Sequence, residues 1–141
     1  MAVVLAMTSV GIKDQSNRVN DWPYTGALRT ALEREGVDHF YSSYWLTYRV
    51  MFETSERMVG TQANGAGVRY MPYNDAVDNH PNPAWVFRQR WNDPRLPAFI
   101  KWTASQNIGI RVIEAGDYAI VITDRKVERS DVPTEIRDPG D

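Results

Sequence analysis

Patterns typical of helices and strands alternate along this chain, and that alternation restricts the fold more than any other feature. Strands that are separated by helices predict a mostly parallel sheet with helices on both faces. We therefore predict an α/β fold, a three-layer α/β/α sandwich. The strand patterns, which are short apolar runs, lie near residues 37–41, 57–62, 84–88, 110–115 and 118–123.

The final two strand patterns are separated by Gly116 and Asp117 alone. A two-residue connection that contains glycine, set between apolar runs, is a signal for a β-hairpin. The last strand is therefore expected to be an antiparallel addition to the sheet. It closes a single α/β domain predicted to span residues 23–124, because the charged, Pro-containing sequence of 125–141 predicts a disordered tail.

Residues 1–22 allow two interpretations. Ala2–Val10 is nearly all small or apolar, but it is shorter than the roughly twenty residues of a membrane span and lacks the basic start of a signal peptide. Either Val3–Met7 is a buried first strand, or the segment is the end of a membrane helix. Short apolar runs do not distinguish these alternatives. The polar stretch Lys13–Asp21 that follows is interpreted as a linker.

The composition is that of one globular domain, and it excludes several kinds of function. Of the 141 residues, 43% are hydrophobic and 24% are charged, and the net charge is −2. No electrostatic argument therefore favours binding to nucleic acid. The chain has no Cys, which excludes disulfides, thiolate metal sites and Cys nucleophiles. No Gly-rich dinucleotide motif, P-loop or GxSxG nucleophile motif occurs.

The two histidines give little reason to expect a metal. His39 falls in a predicted strand, where a packed or edge histidine is the simpler interpretation. His80 lies in a Pro-containing loop near Asp78, but a closed zinc site needs four ligands and no third ligand is evident. We therefore predict no metal, no cofactor and no catalytic residue in this chain.

The segment Tyr44–Glu53, YWLTYRVMFE, predicts a helix that is unusually rich in aromatic residues. A helix places Trp45, Tyr48 and Phe52 on one face. It also allows Arg49 to pair with the glutamate one turn later. A rigid aromatic helix with a planar cation at one edge suits either a hydrophobic core or a surface that faces carbohydrate.

A candidate ligand surface follows from the positions of the aromatic and Arg side chains at predicted strand ends. Ligands of open α/β sheets bind at that edge. Aromatic rings stack on the apolar faces of sugars, and Arg offers a planar fork to a phosphate. The alternative, that these residues are partly buried core and intramolecular caps, remains open. The predicted site residues are Tyr44, Trp45, Arg49, Arg69 and Tyr73.

The order of segments over residues 23–123 resembles that of a known family. A helix ending in Gly, a short strand, YWLTYRVMFETSERMVGTQ, RYMPYNDAV, an AWVF strand and a closing hairpin are similar to the C-terminal extracytoplasmic domain of bacterial membrane glycosyltransferases. These multi-spanning enzymes, common in actinobacteria, are related to protein mannosyltransferases and to the aminoarabinose transferases of lipid A. The most specific matching parts are Tyr44-Trp45, Arg49, Phe52-Glu53, Arg69-Tyr70 and Pro72-Tyr73.

The resemblance implies an accessory role without catalysis. In that family, acidic residues in loops of the membrane part transfer the sugar from a polyprenyl phosphate. The resemblance places this domain on the extracytoplasmic face of the cell membrane, with the membrane part of its own full-length protein and a glycan or polyprenyl-phosphate sugar as partners. It also favours the membrane-helix interpretation of Ala2–Val10. The alternative is a stand-alone cytosolic small-molecule or nucleotide-binding domain, or a small enzyme.

Overall fold

A computed structural model describes residues 6–9, 25–65, 70–89 and 93–137. Among these residues, no helix has the length and apolar character needed to cross a membrane. The elements, in chain order, are β1 (Ala6–Ser9), α1 (Gly26–Arg34), β2 (His39–Ser42), α2 (Tyr44–Glu53), β3 (Val59–Gln62), α3 (Met71–Asp78), β4 (Ala84–Arg88), α4 (Arg95–Ser105), β5 (Ile110–Ala115), β6 (Tyr118–Thr123), a 3-10 turn (Arg129–Asp131) and α5 (Thr134–Arg137).

The strands form one mixed sheet with the order β1-β5-β6-β4-β2-β3. The pairs β1–β5, β2–β4 and β2–β3 are parallel, and the pairs β4–β6 and β5–β6 are antiparallel. The five strands expected from the sequence are confirmed close to their expected bounds. The hairpin is confirmed as well, with Gly116 at φ +64. However, β6 lies inside the sheet, because its second edge pairs with β4.

Helix α1 ends in a Schellman motif. Gly36 has φ +66, a left-handed conformation that glycine adopts without strain from a Cβ atom. Its N–H donates to Glu33 O, and the Val37 N–H donates to Leu32 O, which are the two hydrogen bonds of this C-cap. The chain therefore leaves α1 in a defined direction and enters β2.

Side chains along the strands alternate between two hydrophobic clusters. Helices α1 and α2 contribute to the first cluster, whose large members include Leu28, Leu32, Phe40, Val50, Ile113 and Ile120. Helices α3, α4 and α5 contribute to the second cluster, whose large members include Tyr41, Val77, Trp85, Phe99, Val121 and Ile136.

The amino-terminal segment is a strand where the structure describes it. Strand β1 pairs in parallel with β5 along its whole length. Ala6–Ser9 is therefore a strand, as one of the two interpretations expected, although that strand was expected at Val3–Met7. The membrane-helix interpretation is wrong for Ala6–Ser9. Strand β1 therefore belongs to the same sheet as the strands of the domain predicted over residues 23–124. The rest of the segment 1–22 lies outside the described residues.

The carboxyl-terminal tail is folded onto the domain, so the disorder expected over 125–141 is wrong for 125–137. The 3-10 turn and α5 follow β6 there. Val127, Val132 and Ile136 are buried in the second cluster. Composition was misleading because these apolar residues are separated by charged ones, and only their tertiary contacts show that they belong to the core. The remaining residues of the tail lie outside the described part.

Candidate functional site

Four of the predicted site residues flank the carboxyl ends of β2 and β3. These two strands are parallel, so their carboxyl ends share one edge of the sheet. Helix α2 begins directly after β2 with Tyr44 and Trp45, and Arg49 lies about one turn further on. Tyr73 lies in the first turn of α3, which follows β3. Arg69, the fifth residue, lies outside the described residues.

Helix α2 turns aromatic side chains outward. Trp45 is 56% exposed and Phe52 is 86% exposed, and Tyr48 between them is half-buried. The alternative in which Trp45 is a core residue is therefore wrong. Leu46 and Val50 lie on the buried side of the helix instead. We call Trp45, Tyr48 and Phe52 the aromatic face.

Helix α3 adds exposed apolar side chains beside the same edge strand. Tyr70 is 51% exposed and Met71 is 55% exposed. The ring of Tyr70 packs against that of Tyr73, with the ring centroids 4.7 Å apart. Helix α3 is fixed to β3 by a hydrogen bond from the Thr61 hydroxyl to Asn74 Oδ1, at 3.3 Å. The first turn of α3 therefore carries a second group of aromatic rings near the carboxyl edge.

Contacts between rings hold the start of α2 in a defined arrangement. The Tyr44 ring packs edge-on against Trp45, with centroids 5.0 Å apart, and contacts Tyr48 at 4.8 Å. Such aromatic pairs contribute about 0.5–1.5 kcal/mol each beyond the area they bury. The three rings therefore hold a defined orientation relative to one another.

A hydrogen bond ties the start of α3 to the turn after α2. The Tyr73 hydroxyl donates to Glu56 Oε1 at 2.7 Å. That bond, together with burial and the charge of Glu56, raises the pKa of Tyr73, so the phenol remains a donor at neutral pH. Ser55 and Glu56 have φ +50 and φ +59, a left-handed pair that these residue types do not predict. No local sequence pattern therefore indicates this contact.

Arg49 is held by a carboxylate on its own helix. Its Nε donates to Glu53 Oε1 at 2.9 Å, which confirms the expected pair. Glu53 also accepts a hydrogen bond from the Thr25 hydroxyl and lies 3.2 Å from Arg29 Nε. Burial raises the pKa of Glu53, but the bonds from Thr25 and Arg49 and the two guanidinium charges outweigh burial, and the pKa lies below its usual range.

The lowered pKa of Glu53 makes stability depend on pH. A carboxyl whose pKa is lower in the folded state stabilises the fold above its unfolded pKa of about 4.3, and this contribution is lost as the pH falls through the folded value. We expect Glu53→Gln to be about 1–3 kcal/mol less stable than wild type at pH 7, and the difference to shrink near pH 3. Urea unfolding at both pH values measures it.

A matched control for that experiment is Glu33→Gln. Glu33 pairs with Arg57 at 3.4 Å, and both side chains are at least half exposed, so its contribution should be below about 1 kcal/mol. An equal loss of stability in Glu53→Gln at pH 7 and pH 3 would show that packing, and not charge, is what the glutamate supplies.

Both histidines of the chain meet at one carboxylate, at the opposite edge of the sheet. His39 Nδ1 lies 2.8 Å and His80 Nε2 lies 3.5 Å from Asp38 Oδ1. The hydrogen bond with His39 lowers the pKa of Asp38 below its usual range. Asp78, which the sequence placed near His80, instead accepts a hydrogen bond from the Tyr41 hydroxyl at 2.6 Å. No spacing motif marks this cluster, because His80 lies 41 positions after His39 in the chain.

No protein-family model, curated protein or solved structure matches the chain. Its function is therefore inferred from the chemistry of the surface that α2 and α3 form, and from the resemblance that residues 23–123 carry.

Proposed function

We propose that the chain is the C-terminal extracytoplasmic domain of a bacterial multi-spanning membrane glycosyltransferase, in which it serves as a non-catalytic accessory domain. The observation that supports this most is the exposure of the aromatic face at the carboxyl edge of the sheet. A soluble domain usually buries such rings, and a group of exposed ones marks a surface that binds something. Sugars fit this surface, because aromatic rings pack against their apolar faces.

The proposed ligand is a glycan acceptor or the polyprenyl-phosphate sugar donor. Trp45 offers a large flat surface to a sugar ring. The edge-on contact with the Tyr44 ring holds the Trp45 ring in its orientation. Arg49, held by Glu53, lies one turn away and supplies a planar cation for the phosphate of a donor. Tyr73, in the first turn of α3, would complete the surface from the other helix, and Arg69 of the same predicted set lies outside the described residues.

We also propose the three-layer architecture and the mostly parallel sheet that the sequence predicts. The two clusters of apolar side chains, one with α1 and α2 and the other with α3, α4 and α5, support a three-layer α/β/α sandwich. The parallel pairings of β1 with β5 and of β2 with β3 and β4 support a mostly parallel sheet. In this arrangement the carboxyl edge would face the membrane part of the full-length protein.

The proposed location, on the extracytoplasmic face of the cell membrane, rests on the resemblance. Because Ala6–Ser9 is a strand of the sheet, that segment does not supply the link to the membrane. The membrane part of the same protein is the partner that would hold the domain close to the lipid-linked donor.

A second candidate function is a stand-alone domain that binds a small molecule or nucleotide. Strand β2 continues into α2, which joins the first cluster, whereas its parallel neighbour β4 leads to α4, which joins the second cluster. Adjacent parallel strands whose helices leave toward opposite faces form a crevice that binds ligands in open α/β sheets. Ser42, at the end of β2, donates to Val86 O of β4 at 3.0 Å, which joins these two strands.

A ligand panel separates the two candidates. We expect a short-chain polyprenyl-phosphate sugar or an oligosaccharide to raise the Tm of the chain, and nucleotides to leave it unchanged. A ligand at a hundred times its Kd stabilises by about 2.7 kcal/mol, which a thermal-shift assay resolves. Trp45→Ala should weaken the binding roughly tenfold or more, as truncation of a central aromatic anchor does.

Two control variants sharpen the panel. Tyr73→Phe removes only the hydroxyl that donates to Glu56 and should keep the ring contact with the ligand. Lys101→Ala alters an exposed position on α4, which packs against the other cluster, and should bind like wild type. Stabilisation by nucleotides with no response to any sugar ligand would overturn the proposal and favour the crevice between β2 and β4.

A further inference from the structure

The fold brings together the two histidines of the chain, although 41 positions separate them in the sequence. His39 opens β2 and His80 follows α3, and their rings stack with centroids 4.4 Å apart and planes inclined by 17°. Asp38 lies beside both rings. The carboxylate oxygen and one nitrogen from each imidazole lie within 4.8 Å of one another.

We propose that Asp38, His39 and His80 form a binding site for a divalent transition-metal ion of the Zn²⁺ type. Two imidazoles and one carboxylate are a donor set that zinc accepts, at bond lengths of about 2.0–2.2 Å. Donors at that distance from a tetrahedral ion are about 3.3 Å apart. The contacts of Asp38 Oδ1, at 2.8 Å to His39 Nδ1 and 3.5 Å to His80 Nε2, lie on either side of that value.

Metal binding requires a tilt of one ring, because an ion lies in the plane of each imidazole that binds it and the two planes are inclined by only 17°. It also requires a change of tautomer at both rings. The Asn82 N–H donates to His80 Nδ1 at 3.1 Å, so the neutral His80 ring carries its proton on Nε2, which faces Asp38. To bind an ion through Nε2, the ring moves this proton to Nδ1 and gives up the bond from Asn82. His39 likewise moves its proton from Nδ1 to Nε2. Each neutral ring keeps one proton, so the exchange releases none.

The surroundings fit an ion with an open coordination position. The Asp38 side chain is 60% exposed, and those of His39 and His80 are 23% and 29% exposed, so an ion can enter from solvent without unfolding the site. Three protein donors leave a fourth position for water, as in catalytic zinc sites. Lys126 is the neighbouring cation that opposes binding, and its ammonium group lies 3.2 Å from Glu128.

The site is independent of the proposed sugar surface. It lies at the amino end of β2, whereas the aromatic face lies beyond the carboxyl end. It touches the loop between α3 and β4, in which Asn82 Nδ2 donates to Thr123 O at 2.7 Å. An ion bound by His80 would therefore join this loop to the start of β2, and loss of one site would leave the other intact.

Titration calorimetry of the tag-free chain with Zn²⁺ at pH 7.5 tests the proposal. We expect one ion per chain, and we expect His39→Gln and His80→Gln each to weaken binding at least about tenfold, the lower end of the loss seen even for outer-shell partners. Glu135→Gln, an exposed acid on α5, is the matched control and should bind like wild type. Mg²⁺ should not bind, because it prefers an all-oxygen shell.

Two spectroscopic readouts complete the test. Co²⁺ in place of Zn²⁺ should give the visible absorption of a tetrahedral ion, and the amide signal of Asn82 should shift when its hydrogen bond to His80 is lost. Should either histidine variant fail to fold, Asp38→Asn replaces it, because Asp38 is exposed. The proposal would be overturned if Zn²⁺ did not bind stoichiometrically, or if the folded histidine and Asp38 variants bound it with unchanged affinity. The three residues would then be a hydrogen-bonded His–Asp–His cluster.

Discussion

A chain shortened at Asp124 is expected to be less stable than the full chain by roughly 5 kcal/mol, because burial of each Val or Ile side chain contributes about 1.5–3 kcal/mol. The shortened chain loses three buried residues of the second cluster, Val127, Val132 and Ile136. Since whole domains are stable by only about 5–15 kcal/mol, this loss removes about a third or more of the total, and the shortened chain should unfold at a much lower urea concentration than the full chain. Circular dichroism with urea titration measures this directly.

Polar contacts of the tail add to the loss. Arg129 donates to Gln62 O at 2.8 Å and to Asp78 Oδ2 at 2.7 Å, and its guanidinium lies 5.7 Å from the centre of the Tyr41 ring. Removing the arginine leaves the Asp78 carboxylate without its cation in a half-buried site, which is costly. The tail therefore holds the carboxyl end of β3 as well as covering the core.

A double substitution in the full chain controls for surface effects. Ser130→Ala with Glu135→Ala changes two exposed side chains of the tail and should alter the stability by less than about 0.5 kcal/mol. If the shortened chain unfolded at the same urea concentration as the full chain, the tail would not be part of the fold.

Gly60→Val is expected to destabilise the domain by about 3 kcal/mol, at the upper end of the usual cost of overpacking a core. A Cβ at this position would lie 2.7 Å from Phe40 Cζ and 3.0 Å from Thr47 Cγ2. Phe40 is fully buried and Thr47 is 1% exposed, so neither has room to withdraw. Valine adds two further methyl groups at the point where α2 packs on β3.

The Phe40→Leu background tests the cause of that loss. Leucine lacks the ring atoms nearest Gly60, so the valine should be tolerated better there, with a coupling of about 0.5–3 kcal/mol between the two changes. Urea unfolding of the four proteins in the cycle measures it. A cost of Gly60→Val that is the same in both backgrounds would show that contact with Phe40 is not its source.

The sequence predicted the sheet well because its strands are short apolar runs bounded by turn residues. The segment Ala84–Arg88 and the two hairpin strands were found close to their expected limits. The place of β6 was not predictable from such local patterns. A hairpin signal specifies which strand β6 pairs with on one side, whereas its pairing with β4 depends on a contact between distant parts of the chain.

The sequence does not indicate which side of α2 is buried. Leu46 and Val50 are apolar, but so are Trp45 and Phe52 on another side of the helix, and a helix that is apolar on several sides has no periodicity that selects a buried face. The structure buries the branched aliphatic residues and exposes the aromatic ones. The cluster of Asp38 with the two histidines was equally hidden, since no spacing motif connects its members.

Sugar binding by the aromatic face is tested most directly by following the indole N–H signals of the chain by NMR while a short-chain polyprenyl-phosphate sugar or an oligosaccharide is added. The chain has five Trp, and Trp→Phe variants assign their signals. We expect the signal of Trp45 to shift in proportion to saturation and that of Trp85, which is 1% exposed, to stay in place. If the Trp45 signal did not move with any such ligand, the aromatic face would not be a sugar-binding surface.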